Sequence, residues 1–403
     1  MHQSVARQTG YLPGDPEYRK LSVALFAAGL ATFALLYSTQ PLLPQLVDAF
    51  HVSPSQSAFS VSFATFGLGL ALLIAGPASE ALGRTNLMRW SVAATSVFAL
   101  LSAFAPTWHL LLALRGLQGI AMAGLPAVAM AYLREEVHQD SHARASGLYI
   151  AGTAVGGMAG RLIAGGLSDL GGWRFATAGI AVVGVLCAAV VWLLLPASRN
   201  FHPSAARPHD LFRVLRDPAL LALYGIAATA VGAFVAVYNG AVFRLSGSPY
   251  ELSAGAAGLV FCVYLLGSAG SATAGTLADR YGRRAVVPVG CLITLAGVAI
   301  TLAAPLPLIV LGLAVMTAGF FAVHGVASGW VPARAQASGV GTGQASSMYL
   351  FSFYLGSSVF GGLAGTAWSR AEWTGVAGEA GVLFLVTLVL ALLLKNVPSR
   401  VQN

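Results

Sequence analysis

Apolar and polar positions segregate along this chain on a long scale. Runs of about 20 or more mainly apolar residues alternate with short polar stretches rich in Arg, Pro and Gly. Each run is long enough to cross a hydrocarbon core ~30 Å thick as a helix. The runs lie near residues 21–47, 55–76, 85–105, 107–133, 142–168, 172–195, 218–243, 252–275, 285–304, 306–331, 339–368 and 373–394, which predicts twelve spans. Pro and Gly interrupt the first, fourth and fifth, so their lengths are the least fixed. Residues 1–20 are polar and hold no cleavable apolar core, so the first span is expected to be retained.

Composition sharpens this pattern. Of 403 residues, 57% are hydrophobic and 9% charged, against about 25% charged in a soluble domain. That excludes a water-soluble fold and predicts an all-α membrane protein. Most of the 47 glycines lie within the apolar runs, where small residues let helices approach closely in lipid. Cys187, Cys262 and Cys291 also fall in apolar runs, at spacings that fit neither a zinc site nor a disulfide framework. The formal charge of +8 is scattered among short loops, which argues against a nucleic-acid patch.

Topology accounts for the charge instead. With twelve spans, one face receives both termini and the loops bearing Arg7, Arg19, Lys20, Arg84, Arg89, Arg134, Arg144, Arg199, Arg207, Arg213, Arg216, Arg280, Arg283, Arg284, Arg334, Lys395 and Arg400. The other face receives only Arg174, Arg244 and Arg370. The positive-inside rule then puts both termini in the cytoplasm.

The longest polar interval, PASRNFHPSAARPHDLFRVLRDP at 196–218, divides six runs from six. It predicts a bundle over 1–195, a cytoplasmic linker over 196–217 and a second bundle over 218–403. Sliding one half over the other supports a repeat. Gly76, Glu80, Gly83 and Arg84 meet Gly275, Asp279, Gly282 and Arg283 at an offset of 199, and Tyr37 meets Tyr238 at 201. Tyr149, Gly156, Gly165 and Trp173 meet Tyr349, Gly356, Gly365 and Trp373 at 200. Parallel repeats related by an axis along the membrane normal are a transporter architecture, with substrate bound between the halves near the midplane.

Two arginines lie inside spans. A charge there must face the bundle interior or a wet cavity, because its cost at the helix centre is about 2.5–3.5 kcal/mol on insertion scales. Arg115 lies within snorkelling reach of the outer headgroups; Asp48 is a conceivable partner. Arg161 sits in GGMAGRLIAGG, residues 156–166, and its repeat counterpart is Gly361. Three readings compete for Arg161: a clamp between helices, a binding or coupling charge in the central cavity, or an outer-end charge. Gln40, Gln118, Asn239, His324 and Gln344 are further polar residues within spans, as are tyrosines 37, 149, 238, 349 and 354. His324 titrates near neutral pH when unperturbed, which suits a proton shuttle; a hydrogen-bonded packing role is the alternative.

These features resemble the major facilitator superfamily, specifically its twelve-span bacterial efflux transporters. GTLADRYGRR, residues 275–284, is similar to the family's loop motif between helices eight and nine, and GPASEALGRT, residues 76–85, to its first-half copy. RGLQGIAMAGLP, residues 115–126, resembles the helix-four motif R-x-x-x-G. Gly147, Gly156, Gly160 and Gly165 fit the helix-five motif of antiporters, in which Arg161 occupies the proline position and Ala164 replaces a glycine. YSTQPLLP and the Trp173-Arg174 pair are similar to inner-membrane permeases grouped with arabinose-efflux and multidrug proteins.

The resemblance implies a bacterial inner-membrane transporter, usually monomeric, that moves a small molecule by alternating access, with proton-coupled efflux by antiport. It implies cavity liners on helices one, four, seven and ten, which selects Tyr37, Gln40, Gln118, Tyr238, Asn239 and His324, with Arg161 as a further candidate. It implies proton coupling through Arg115, with Arg161 and His324 as further candidates, and a cytoplasmic gate at Gly76, Glu80, Gly83, Arg84, Gly275, Asp279, Arg280, Gly282, Arg283 and Arg284. No cofactor or metal is expected. A P-loop, HExxH and GxSxG are absent from the sequence, which argues against an ATP-driven pump and a membrane-embedded hydrolase. The alternatives are a uniporter or proton symporter for a sugar or organic anion and, further off, a membrane enzyme or a transport-dead sensor.

Overall fold

The structure, a computed structural model, describes residues 10–200 and 213–394, without the side chains at 76, 77, 80 and 268. Arg7, Arg207, Lys395, Arg400 and the middle of the 196–217 linker therefore lie outside the described residues. The described chain is helical almost throughout. Its one β-type contact is an isolated bridge between Tyr11 and Val137, which ties the amino-terminal stretch to the end of the fourth span.

In the first half the helices are α1 (Pro16–Leu36), α2 (Leu43–Phe50), α3 (Pro54–Leu82), α4 (Arg84–Ala103), α5 (Trp108–Met122), α6 (Pro126–Glu136) and α7 (His142–Leu194). The second half holds α8 (Pro218–Ser246), α9 (Ala254–Gly258), α10 (Tyr264–Tyr281), α11 (Arg283–Ile300), α12 (Leu306–Ala337) and α13 (Thr342–Leu393). Among the described residues, nine helical stretches are long and apolar enough to cross a bilayer. Two of them, α7 and α13, run past fifty residues and leave helical geometry once each, at Gly171 and Gly172 and at Ala371 and Glu372. Those breaks stand where the sequence separates spans five from six and eleven from twelve. Glu372 takes φ 46° where Gly172 takes φ 75°, a region that glycine enters freely and other residues at a cost.

Local chemistry repeats with the sequence. Ser53 and Ser253 cap α3 and α9, accepting the amide N–H groups of Gln56 and Ala256. Gly83 and Gly282 both adopt φ near 80° with ψ near 145° (81/145 and 84/146), so the loop-motif glycine is required by its backbone in both halves. Helix α7 lies on α1 as α13 lies on α8, backbone against backbone. A Cβ at Gly156 or Gly160 would collide with the main chain of Leu30 or Ala34, and one at Gly356 with Ala228.

The two halves meet at the end remote from the chain termini. Gly165 faces the main chain of Ala254, and its counterpart Gly365 faces Pro54 and Ser55. Asp169 accepts hydrogen bonds from the Ser253 hydroxyl at 2.7 Å and the Gly255 amide at 3.0 Å. Along the α3–α13 seam, Ser55 bonds Thr366 at 2.9 Å and Thr65 bonds Ser358 at 2.7 Å.

Two of the three arginines on the remote loops are structural caps. Arg174 donates to the carbonyls of Ala103 and Ala105 at 3.0 and 2.9 Å and lies over Trp173. Arg244 donates to Thr301 and Ala303 and lies over Trp373. The repeat preserves the tryptophan and the capped helix end; the guanidinium arrives from a different helix in each half.

Candidate functional site

The site begins at a break in the first span. Pro41 has no amide hydrogen to give the carbonyl four residues back, and its ring crowds that carbonyl. Helix α1 accordingly stops at Leu36, and a single 3-10 turn over Gln40–Leu42 precedes α2. The corresponding stretch of α8 has no proline and runs unbroken.

The break frees carbonyls inside the protein, and Arg115 takes them. Its side chain, 1% exposed, donates through Nε to Ser60 O at 2.8 Å, through Nη1 to Leu35 O at 3.0 Å and Gln118 Oε1 at 2.7 Å, and through Nη2 to Leu36 O. Asp48 is exposed and is not among its partners. Gln118 thus serves Arg115, and its own amide nitrogen is buried without a partner among the described residues.

Arg161 lies on the other side of the break, 2% exposed. It stands ten residues ahead of the Gly171 break, about 15 Å along the helix. Its Nε donates to Gln40 Oε1 at 2.6 Å and its Nη1 to Gly157 O at 2.5 Å. Three rings surround the guanidinium: Tyr37, Tyr264 and Phe261, with centroids 4.4, 4.8 and 4.9 Å from Cζ. Stripped of side chains at 156, 157 and 160, the helix leaves room for the guanidinium to fold back along it.

A directed hydrogen-bond chain leaves Arg161. Arginine only donates, so Gln40 turns its oxygen toward Arg161 and gives its Nε2 to Asn239 Oδ1 at 2.7 Å. Asn239 then gives its Nδ2 to the carbonyl of Gly361 at 2.9 Å. Gln40 and Asn239 are 0% and 1% exposed. Four helical segments from both halves are joined by one row of donors and acceptors.

The structure therefore brings Tyr37, Gln40, Arg161 and Asn239 into one cluster. Tyr238 joins through its rings, stacked on Phe261 and edge-on to Tyr264 at 5.3 and 4.9 Å, while its hydroxyl bonds Thr317 at 2.7 Å. His324 stands apart. Its Nδ1 is 3.0 Å from the Tyr349 hydroxyl, and the rings of Phe320 and Phe353 lie against it. Phe320, Phe234 and Tyr264 continue this aromatic layer from His324 to Arg161.

The loop-motif residues lie at the face bearing the termini. Arg84 pairs with Glu135 at 2.8 Å and also donates to Ser79; the side chains at 76 and 80 lie outside the described residues. Asp279 is exposed and forms no ion pair among the described residues, and Arg280 lies over Tyr281. Gly282 precedes Arg283 and Arg284, which open α11. A more deeply buried pair joins Asp217 to Arg334 at 3.0 Å, with Ser338 donating to the same carboxylate.

Several residues escape a sequence reading. Phe261 and Tyr264 complete the ring box around Arg161, yet in the sequence they are ordinary aromatics of an apolar run. Glu379 lies in the last span with both carboxylate oxygens buried and without a hydrogen-bond partner among the described residues. A lone acid in so apolar a run is a signal readable in advance.

Parallel halves, a broken helix at their seam and buried polar groups meeting there define a secondary-transporter architecture. Comparison with known proteins makes the class specific. The model of the Major Facilitator Superfamily matches residues 21–268, and the chain belongs to that family. It is 41% identical over 382 residues to an uncharacterized MFS-type transporter, YybF of Bacillus subtilis (strain 168), covering 94% of each chain. It is 41% identical over 396 residues to the inner membrane transport protein YnfM of Escherichia coli (strain K12), covering 97% of this chain and 93% of that one. Among solved structures, a bacterial homolog of the human lysosomal transporter Spinster, inward-facing and occupied, aligns with a TM-score of 0.74 at 18% identity, covering 95% and 96% of the two chains. The chain is a multi-pass membrane transporter, not an enzyme.

Proposed function

We propose that the protein exports a small molecule across a bacterial inner membrane in exchange for protons, alternating access between two six-helix bundles. The bundles occupy 1–195 and 218–403, the linker 196–217 and both termini are cytoplasmic, twelve helices span the bilayer, and the working unit is a monomer. Substrate binds at the seam formed by Tyr37, Gln40, Arg161, Tyr238 and Asn239. The observation that carries this reading is the buried row from Arg161 through Gln40 and Asn239 to Gly361, which ties the two halves together at their seam.

Proton coupling draws support from Glu379, since a buried carboxylate without a partner is far cheaper to hold protonated than charged. Contacts between the halves at the remote face, where Asp169 holds Ser253 and Gly255 and Ser55 holds Thr366, support a conformation open toward the cytoplasm, its gate loops apart. In the opposite conformation those loops close the cytoplasmic side. The import alternative, uniport or proton symport of a sugar or organic anion, uses the same seam with the gradient reversed.

Reconstitution into liposomes with an imposed pH gradient tests the proposal, using sugars, organic anions and dyes as substrates. Proton-driven accumulation that collapses with a protonophore is expected. Flux indifferent to the pH gradient rules out antiport.

A further inference from the structure

Arg115 and Arg161 are both buried arginines without a carboxylate partner among the described residues, but their donors are used very differently. A guanidinium carries five N–H groups. Arg115 has four hydrogen bonds, three of them to main-chain carbonyls. Among the described residues Arg161 has two, to one amide oxygen and one helical carbonyl, and its Nη2 has no partner. Arg115 thus has four of its five donors taken by the fold, whereas Arg161 has both N–H groups of Nη2 unused.

Among the described residues, the surroundings of Nη2 supply no negative charge. Tyr37, Phe261 and Tyr264 offer ring faces, which attract a cation but do not neutralise it. Buried charges are ordinarily paired. With the seam read as the substrate site, on which this step rests, we infer that its ligand is a small organic monoanion, a carboxylate or sulfonate on a flat apolar body. Two ligand oxygens lie in the guanidinium plane as a fork-to-fork pair, one on the free Nη2 and one on the Nε that Gln40 gives up, while the rings cover its apolar body. A single cation at this position favours one negative charge over two.

The same contact supplies a switch. An oxyanion competes with Gln40 for Arg161, and a charged acceptor outbids a neutral amide. Gln40 follows a non-helical turn, so it can swing aside without unwinding a helix. Its departure severs the bond to Asn239, which is a direct side-chain link between the halves. Ligand arrival therefore unties the two halves at the point where it binds.

The test uses the full-length protein in detergent, with benzoate, benzamide and benzylamine as matched anionic, neutral and cationic probes. Benzoate is expected to raise the melting temperature and the other two to leave it unchanged. Arg161→Gln should weaken benzoate binding about tenfold or more. Asn239→Ala should strengthen it severalfold, because the tie no longer has to be broken; a merely structural residue would give no such gain. If Arg161→Gln does not fold, Arg161→Lys replaces it: the charge remains but the fork is lost, and weaker benzoate binding is again expected. Equal stabilisation by all three probes, or benzoate binding indifferent to both substitutions, overturns the inference. Transport of any substrate that ignores Gln40, Arg161 and Asn239 substitutions removes the seam itself as the binding site, a separate failure.

Discussion

Gly361 stands two hundred residues after Arg161, at the matching place in the repeat, and its carbonyl receives the last proton of the hydrogen-bond row that starts on Arg161. One copy supplies the donor that sets the direction of the row, and the other supplies the acceptor that ends it. Gln40→Glu would give Arg161 a permanent internal partner. The expected outcome is a higher melting temperature together with loss of benzoate binding; retention of both wild-type values would contradict the role given to the Arg161 guanidinium.

Arg115 holds the interrupted first span. Arg115→Ala takes the donor from Leu36 O, while Leu35 O keeps Ser38 Oγ and Ser60 O lies within helix α3. An unsatisfied buried acceptor costs about 1–3 kcal/mol and the space left by a fully buried side chain adds to that, so a clearly lower melting temperature and folded yield are expected. Asp48→Asn, which touches none of these contacts, should melt like the wild type.

Glu379 provides a separable test of proton linkage. Glu379→Gln keeps the shape and mimics the neutral acid, so folding and substrate binding should be preserved. Transport measured against pH should lose its dependence on the gradient. If the variant still accumulates substrate in proportion to the pH difference, protons travel by another route.

Asp217 and Arg334 fasten the start of α8 to the end of α12. Burial pushes the Asp217 carboxyl up, but hydrogen bonds from Ser338 and Arg334, the Leu220 amide and the Arg334 charge together hold it below the usual carboxylate range. A carboxyl with a lowered folded value stabilises the fold above its unfolded value near 4 and loses that contribution as pH falls through the lower folded value. Asp217→Asn should therefore cost about 2 kcal/mol at neutral pH, seen as a lower melting temperature. The gap from wild type should stay constant from pH 8 to about 5 and narrow only below about 4.

Much of this architecture is written in the chain. Apolar run lengths place the spans, and the repeat places Gly83 with Gly282 and Ser53 with Ser253, because a helix cap or a glycine-only backbone constrains residue type locally. The buried polar set Tyr37, Gln40, Arg161 and Asn239 is likewise visible, since each is out of place in an apolar run. Their connection is not visible: Gln40 meets Asn239 only because two halves dock, and nothing near either residue encodes that contact. The ring box is hidden for a different reason. Phe261 and Tyr264 suit lipid, core and cation alike, so residue type alone does not distinguish them. At the loop motif, Arg84 takes Glu135 from the end of the fourth span, a partner that lies 51 residues away.

The interrupted first span, spliced by Arg115, has an unbroken counterpart in α8. Duplication produced two similar copies, and their duties have since diverged: one has become a joint, the other a beam. A chain built from two first halves would flex at both sides of the seam with two cations facing each other; one built from two second halves would have neither a joint nor a charge. Neither copy can stand in for its twin, and the ancestral symmetry survives in the scaffold while the working parts have become complementary.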